Sequence, residues 1–425
     1  MILEKTPTLI IIGAGPKAVS LWLKAKVLKE QGWKVPEIII IEKHGVAANW
    51  DGSHGFTNGR QLLGSPPQKD VGYPYQSLFD KTIDQSMLDY SWNNYLVENG
   101  YYADWIDKGR LPPVLEDWAK YLQWAAKKGG LKIHRGTVTK IHRRKSEWSL
   151  KYRTLRGKFI TVEGDGLVIT GLGDPIQLPI KGKIKKRKGI PQFLEAKDFW
   201  QHSKQFSGEQ NIRIAVIGGG ESAGTAIVEL LDRIDLRKSQ IDLYNGHASA
   251  FVRNENAFEN SYFSHPGEWQ NISEEHRYEL IKRTRSGIFS PWVKNNIDGV
   301  YLDAWISSSP VKFKLGRAKR ASSNSNKIRL VLDVYGKRKS VDYDYVISSL
   351  GFNPMSFSKL FDKKQGLKER IKVERKIGYD LSLEDFTPRL HLPMLSPLSQ
   401  GIGFSELTSL GLTADRILSS YVSKG

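Results

Sequence analysis

Two short glycine runs, each at the end of an apolar strand, are the residues of this chain best suited to hold a reactive group. The first lies in residues 8–18, TLIIIGAGPKA. A β-branched strand ends at Gly13, Ala14 and Gly15, and Pro16, Lys17 and Ala18 open a helical stretch running to about Gln31. A second apolar strand, 38–41, ends on Glu42, 29 positions after Gly13. This is the spacing of a dinucleotide cradle. Gly13 permits the tight turn, Gly15 lets the backbone approach a pyrophosphate, and Ala18 lets helix and strand pack closely. The helix N-terminus then faces the phosphates, and Glu42 can accept hydrogen bonds from ribose hydroxyls.

The arrangement recurs 205 residues later. The strand 212–217 runs into Gly218, Gly219 and Gly220, followed by Glu221, Ser222 and a helix to about Leu231. The next strand, 241–244, ends on neutral Asn245, 27 positions after Gly218. An acid at the first site suits the free ribose diol of FAD. A neutral residue at the second, with Arg253 downstream, suits the 2′-phosphate of NADPH.

The intervening segments must position these two cradles. Residues 164–173 and 341–351 are apolar strands ending in glycine turns, which return the chain from one unit to the other. Residues 203–211 read as a polar linker, and the alternation over 130–163 predicts a small β-meander attached to the first unit. In 258–297, Ser273 with Glu274 and Glu275 opens a helix, because acids are favourable at its positive end. The expected fold is α/β, with two Rossmann-like dinucleotide-binding domains and a small helical substrate insert. The expected FAD-binding domain covers 1–205 and 340–425, the NADPH-binding domain 211–257 and 298–339, and the insert 258–297.

Composition removes several alternatives. With 425 residues, 40% apolar and 26% charged, the chain can bury a large core. It has no cysteine, so disulfides, thiolate metal sites and redox dithiols are excluded, and the nine histidines show no metal-ligand spacing. The longest apolar runs fall far short of the roughly 20 residues of a membrane span, and the first strand runs into a glycine motif rather than a cleavage site. The expected location is the cytoplasm. The net charge of +19 reads as a lysine-coated surface spread along the whole chain. The exception is residues 181–188, KGKIKKRK, an exposed cationic loop. No aromatic residue interrupts it as a base-stacking platform requires, so nucleic acid is not an expected partner.

Residues 49–75, NWDGSHGFTNGRQLLGSPPQKDVGYPY, resemble the flavin-side loop of the flavin-dependent N-hydroxylating monooxygenases, in particular those of the mycobactin lysine N-oxygenase type. Residues 258–269, 287–290 and 387–416 are also similar to that family. The resemblance implies FAD, NADPH, dioxygen and a small-molecule amine. NADPH reduces the flavin, the flavin takes up oxygen as a C4a-hydroperoxide, and a neutral primary amine removes the distal oxygen to become a hydroxylamine.

By the same resemblance, Lys69 falls at the lysine that meets the substrate carboxylate, the alternative being an exposed surface pair with Asp70. Asn260 falls at the asparagine that holds the substrate's amino-acid end. Trp50 lies in the flavin-contacting loop, and Gly411 and Leu412 sit in the segment that closes over flavin and substrate. The chain departs from the ornithine enzymes at Gly64, where they carry a glutamine, and at Ile288, where they carry a second asparagine. Both changes leave room for a longer or acylated substrate. L-lysine is the expected substrate and a siderophore hydroxamate the expected destination. Ornithine, a diamine, or an acylated or carrier-bound lysine are alternatives, as is a non-catalytic flavin-binding partner in a biosynthetic complex. The F-x-G-x-x-x-H pattern of Baeyer–Villiger oxygenases is absent, since Phe193 is followed by Glu195 and Phe199. A homo-oligomer and docking to a carrier protein are both compatible with the sequence.

Overall fold

The computed structural model describes residues 5–247, 249–253, 256–285, 287–302, 308–362, 367 and 369–424. Two sheets organise the chain. The first is built on the strand Thr8–Ile12, whose central residues are fully buried, as a strand covered on both faces requires. Glu37–Glu42 runs parallel on one side of it and Gly166–Ile169 on the other, with Arg389–His391 beyond. Past Glu37–Glu42 come His134–Arg143, Trp148–Thr154 and Phe159–Gly164, completing seven strands. These last three are the antiparallel meander expected over 130–163, and they continue the parallel sheet.

The helix Pro16–Glu30 crosses between the first two strands. Pro16 stands in its first turn, where a missing N–H costs nothing. Its buried face carries Lys24, whose Nζ lies 3.0 Å from Asp415, both side chains being 1% exposed. Asp415 sits on the helix Leu410–Leu418 and also accepts from the Leu78 amide. One buried ion pair therefore ties the C-terminal helix to the first helix.

The second sheet has five parallel strands in the order Phe193–Glu195, Tyr345–Ser348, Arg213–Ile217, Gln240–Asn245 and Val311–Leu315. The helix Glu221–Leu231 covers one face. The other face packs Tyr244 and Val346 against Leu330, Leu332 and Tyr343 of a second layer. That layer is a four-stranded sheet of Lys337–Tyr343, Lys327–Val334, Arg317–Asn324 and Ile180–Lys181.

These sheets redraw the expected domain boundaries. Strands 193–195 and 345–348 belong to the second sheet, so residues 180–205 and 340–350 fall in the second unit and not the first. The crossover is the antiparallel pair Asp174–Pro175 with Phe352–Asn353. A three-residue strand carries too little periodicity to be assigned from sequence, and its place is set by the partner strand. The polar stretch 203–211 is likewise no linker. Phe206 is fully buried against Tyr345, with ring centroids 4.9 Å apart, and Glu209 is buried and paired to Lys188.

The insert starts with the helix Ala257–Ser264, capped by a reciprocal pair in which the Asn256 side chain and Glu259 satisfy each other's backbone amides. A short turn, Pro266–Asn271, and the helix Glu274–Arg285 follow. Ile288–Phe289 then pairs with Phe251–Val252 and closes the excursion. The next helix, Pro291–Leu302, packs on Glu221–Leu231, where Gly224 permits the approach: a Cβ there would lie 2.3 Å from Val293 Cγ1. The insert therefore ends near Ser290 rather than at 297. Among the described residues no helix is long and apolar enough to cross a membrane.

Candidate active site

The first glycine motif forms a cradle. Gly13 has φ +101° and donates to the Ile41 carbonyl at 2.9 Å, and a Cβ on it would meet Thr170 Oγ1 at 2.6 Å. Gly15 caps the helix in an extended conformation, and the space its side chain would take is open. Ala18 is fully buried. Glu42 lies at the strand end and accepts from the Ala14 amide at 3.0 Å and the His44 amide at 2.8 Å. The open space before Gly15, the uncapped helix N-terminus and the carboxylate at the strand end fit the pyrophosphate and ribose of a dinucleotide. Lys17 does something the sequence did not suggest. It is buried, and its Nζ donates to the Ser405 and Glu406 carbonyls at 3.0 and 3.1 Å, so it fastens the C-terminal segment over the cradle.

The second motif repeats the geometry. Gly218 has φ +134°, and a Cβ there would lie 2.2 Å from the Ser349 carbonyl oxygen. Gly220 caps the helix, and Ser222 lies in its first turn. Glu221 turns away to the insert, where its carboxylate accepts from the Ser290 amide at 2.6 Å and the Ser290 hydroxyl at 2.8 Å. Burial raises its pKa, while those two bonds and Arg253 oppose the rise. Arg253 donates from its side chain to the Thr284 carbonyl and from its backbone to Phe289. Arg253, Glu221 and Ser290 thus join the second cradle to the insert.

Both units face one cleft of about 320 Å³. Trp50, Gly64 and Leu115 line it from the first unit, Ser222 and Arg253 from the second, and Ile288 from the insert. A Cβ on Gly64 would meet nothing within 4 Å, so its missing side chain leaves real space. Asn58 Nδ2 donates to Glu229 Oε2 at 2.8 Å across the two units.

Lys69 and Asn260 meet, although neither is among the residues that line this cleft. Lys69 Nζ lies 3.4 Å from Asn260 Oδ1, between residues 191 positions apart. The ammonium also stands 5.6 Å from the Tyr73 ring centre and 5.8 Å from that of Phe263. Tyr73 Oη and Ser264 Oγ are 2.7 Å apart. Tyr73, Phe263 and Ser264 were not singled out from the sequence. They fall three or four residues from Lys69 and Asn260, and proximity was the only signal.

The surface pair of Lys69 with Asp70 does not form. Asp70 is 2% exposed and accepts from the Gly72 and Trp92 amides and the Tyr75 hydroxyl. Burial pushes its pKa up to about 6 against those three bonds. It is the post on which the 70–75 loop is built. Gly411 completes the loop's far side: its amide donates to the Tyr73 carbonyl at 2.8 Å, and a Cβ would lie 2.3 Å from the Gly72 carbonyl oxygen. Leu412 is a core side chain, 7% exposed, and lines no part of the cleft. Its neighbours are apolar because the helix Leu410–Leu418 buries that face.

Two dinucleotide cradles in units that together line one cleft, without a cysteine to relay electrons, define a pyridine-nucleotide-dependent flavoprotein of the monooxygenase kind. The profile of the L-lysine 6-monooxygenase/L-ornithine 5-monooxygenase family matches residues 82–354. The chain is 35% identical to the L-lysine N6-monooxygenase MbtG of Mycobacterium tuberculosis, covering 98% of this chain and 95% of that protein. It is 24% identical to the L-ornithine N(5)-monooxygenase of Pseudomonas aeruginosa, over 97% and 93% of the two chains. The solved structure of the lysine monooxygenase NbtG from Nocardia farcinica superposes with a TM-score of 0.80 at 34% identity, covering 96% of this chain and 98% of that one. The chain belongs to the L-lysine 6-monooxygenase/L-ornithine 5-monooxygenase family, flavin-dependent N-hydroxylases that use FAD and NADPH.

Proposed function

We propose that this enzyme hydroxylates the side-chain amine of L-lysine to N6-hydroxylysine, for incorporation as a hydroxamate in a siderophore. The observation that carries the substrate reading is the meeting of Lys69 with Asn260 at 3.4 Å. An ammonium and a carboxamide side by side suit the carboxylate and amino group of an amino acid. The greater likeness to the lysine enzymes than to the ornithine enzyme supports the same choice.

FAD bound in the first cradle and reduced by NADPH supplies the oxygen chemistry. Gly13, Gly15, Pro16, Ala18 and Glu42 would hold it, with Trp50 at the cleft end. Gly218, Gly220, Ser222 and Arg253 would hold NADPH. The chain's own task is to position the amine and to favour its neutral form. Lys69 takes the substrate carboxylate, Asn260 the same end, and the free amine is left to point into the cleft. A lysine ammonium has a reference pKa of about 10.4, so the site must favour the neutral amine. Leu62, Ile288 and Phe289 give the cleft an apolar wall that disfavours the charged form. Lys17 holds residues 405–406 in place, and Glu406 forms part of the cleft wall.

A second reading is a lysine acylated or carried at its α-end, favoured by Gly64 and Ile288, which both stand on the cleft wall. The absence of cysteine supports a cytoplasmic home. The deciding experiment presents lysine, ornithine, cadaverine and α-N-acyl-lysine to the FAD-loaded enzyme and measures hydroxylamine product, not NADPH consumption. Lysine is expected to give the most product per NADPH. Equal product from ornithine would remove the reading.

A further inference from the structure

The basic residues are not spread evenly over the folded protein. Residues 181–188 carry six lysines and arginines and no acid, and residues 317–343 carry eight with two aspartates. The fold makes these segments one surface, because Ile180–Lys181 pairs with Ala321–Ser322 at the sheet edge. Strand register then aligns Lys181, Ser322, Arg329 and Asp342 in one row. The next row holds Arg320, Val331 and Ser340, and the one after it Asp333 and Arg338. Both aspartates are occupied: Arg329 binds Asp342 through two nitrogens at 2.9 and 3.0 Å, and Lys319 lies 3.4 Å from Asp333.

The 181–188 segment is also held in place. Arg187 binds buried Asp344, Lys188 binds buried Glu209 at 2.5 Å, and Lys186–Arg187 pairs with Ile190–Pro191. Lys181, Lys183, Lys185 and Lys186 are left exposed on a fastened hairpin. The run is exposed, as its sequence implies, and its ends are pinned to the sheet edge and to buried carboxylates.

We propose that this face docks a small acidic protein domain. It rests on the lysine reading in one respect only, that the partner presents the amine or receives the hydroxylamine. A protein surface fits better than a polyanion or a bilayer. The two aspartates interrupt the cations in a fixed pattern that a uniform phosphate array would not match. The named rows themselves carry no aromatic side chain, and the one exposed ring beside them, Tyr335, is a single residue and not the series of rings that stacks successive bases. Tyr335, 83% exposed at the adjoining hairpin tip, stands next to Lys337, Arg338 and Lys339, the tyrosine and arginine pairing enriched at protein interface centres.

The test uses the FAD-loaded enzyme and, as the probe, a purified peptidyl carrier domain of net negative charge, titrated by calorimetry at 50 and 200 mM salt. We expect micromolar binding at low salt that weakens at least tenfold at 200 mM. Lys183→Glu, Lys185→Glu and Arg320→Glu together should weaken it at least tenfold, and the corresponding glutamine variants by an intermediate amount. Hydroxylation of free lysine should be unchanged in both sets, since none of these residues lines the cleft. No binding of the carrier domain, binding unaffected by charge reversal, or tighter binding of phosphatidylglycerol vesicles or duplex DNA than of the carrier domain would each overturn the proposal. Loss of the lysine reading would show instead as absent product from free lysine in the unmodified enzyme.

Discussion

Lys69 Nζ and Asn260 Oδ1 stand 3.4 Å apart, one on the loop that follows the first cradle and the other on the insert of the second unit. The contact joins the two halves of the proposed amino-acid anchor. Lys69→Ala should raise the apparent binding constant for lysine by roughly 10- to 100-fold, the worth of a charge-assisted hydrogen bond. Flavin reduction by NADPH should stay near normal, because that step does not use the anchor. Rapid-mixing kinetics separate the two. The double variant with Asn260→Ala should lose less than the sum of the single losses, since the residues touch. Unchanged lysine affinity in Lys69→Ala would refute the anchor.

Arg253 lines the cleft beside Glu221 and bonds the insert at Thr284. Arg253→Ala should weaken NADPH binding by about 1–3 kcal/mol and leave NADH nearly unchanged. Titration of both nucleotides into the FAD-loaded protein measures the difference. Equal use of NADH and NADPH by the unmodified enzyme would show that Arg253 does not read the 2′-phosphate.

Asp70 and His391 make opposite contributions to acid stability. Burial raises Asp70 from 3.8 to about 6, so its favourable contribution is full below pH 3.8 and is lost as pH rises through 6. Burial lowers His391 from 6.5 to about 4. Its contribution is full above pH 6.5 and is lost as pH falls through 4. Urea unfolding at pH 4.5 and 7 should therefore shift in opposite senses in the two variants. Asp70→Asn should make the protein relatively less stable at the lower pH than the unmodified chain, and His391→Gln relatively more stable. Identical pH profiles for all three proteins would contradict both assignments.

Gly411 touches the substrate loop through its backbone. Because a Cβ would lie 2.3 Å from the Gly72 carbonyl oxygen, Gly411→Ala must displace either the loop or the C-terminal helix. We expect a loss of roughly 1–3 kcal/mol in thermal or urea unfolding and a weaker grip on lysine. Gly15→Ala meets no atom within 4 Å, so it should unfold like the unmodified protein while binding FAD less tightly. A Gly411→Ala variant of unaltered stability and KM would show that the loop yields easily.

Lys24 and Asp415 are both 1% exposed and 3.0 Å apart. Lys24→Met leaves a buried carboxylate without its ammonium and should cost about 3–5 kcal/mol. Asp415→Leu added to it should recover much of that loss. Similar stability of single and double variants would mean that the pair acts through the hydrogen bonds of Asp415 to the 77–78 loop instead.

The two cradles could be read in the chain itself because strand, glycine turn and helix are contiguous, and the φ values of Gly13 and Gly218 are local demands. The cofactor class and the β-meander over 130–163 rested on equally local patterns. What tertiary structure alone decided is where distant segments pair. Strand 193–195 is too short to announce its sheet, and only its register with Tyr345–Ser348 moved 180–205 into the second unit. Nothing adjacent to Asp70 says that Trp92 and Tyr75 will take its charge from Lys69, or that Lys17 will reach residues 405 and 406. That the cationic run 181–188 starts on a sheet edge follows only from Ile180–Lys181 pairing with a strand 141 residues away. Local backbone geometry is encoded by neighbouring residues, whereas the energy of a buried charge or a strand edge depends on groups that only folding brings within a few ångströms.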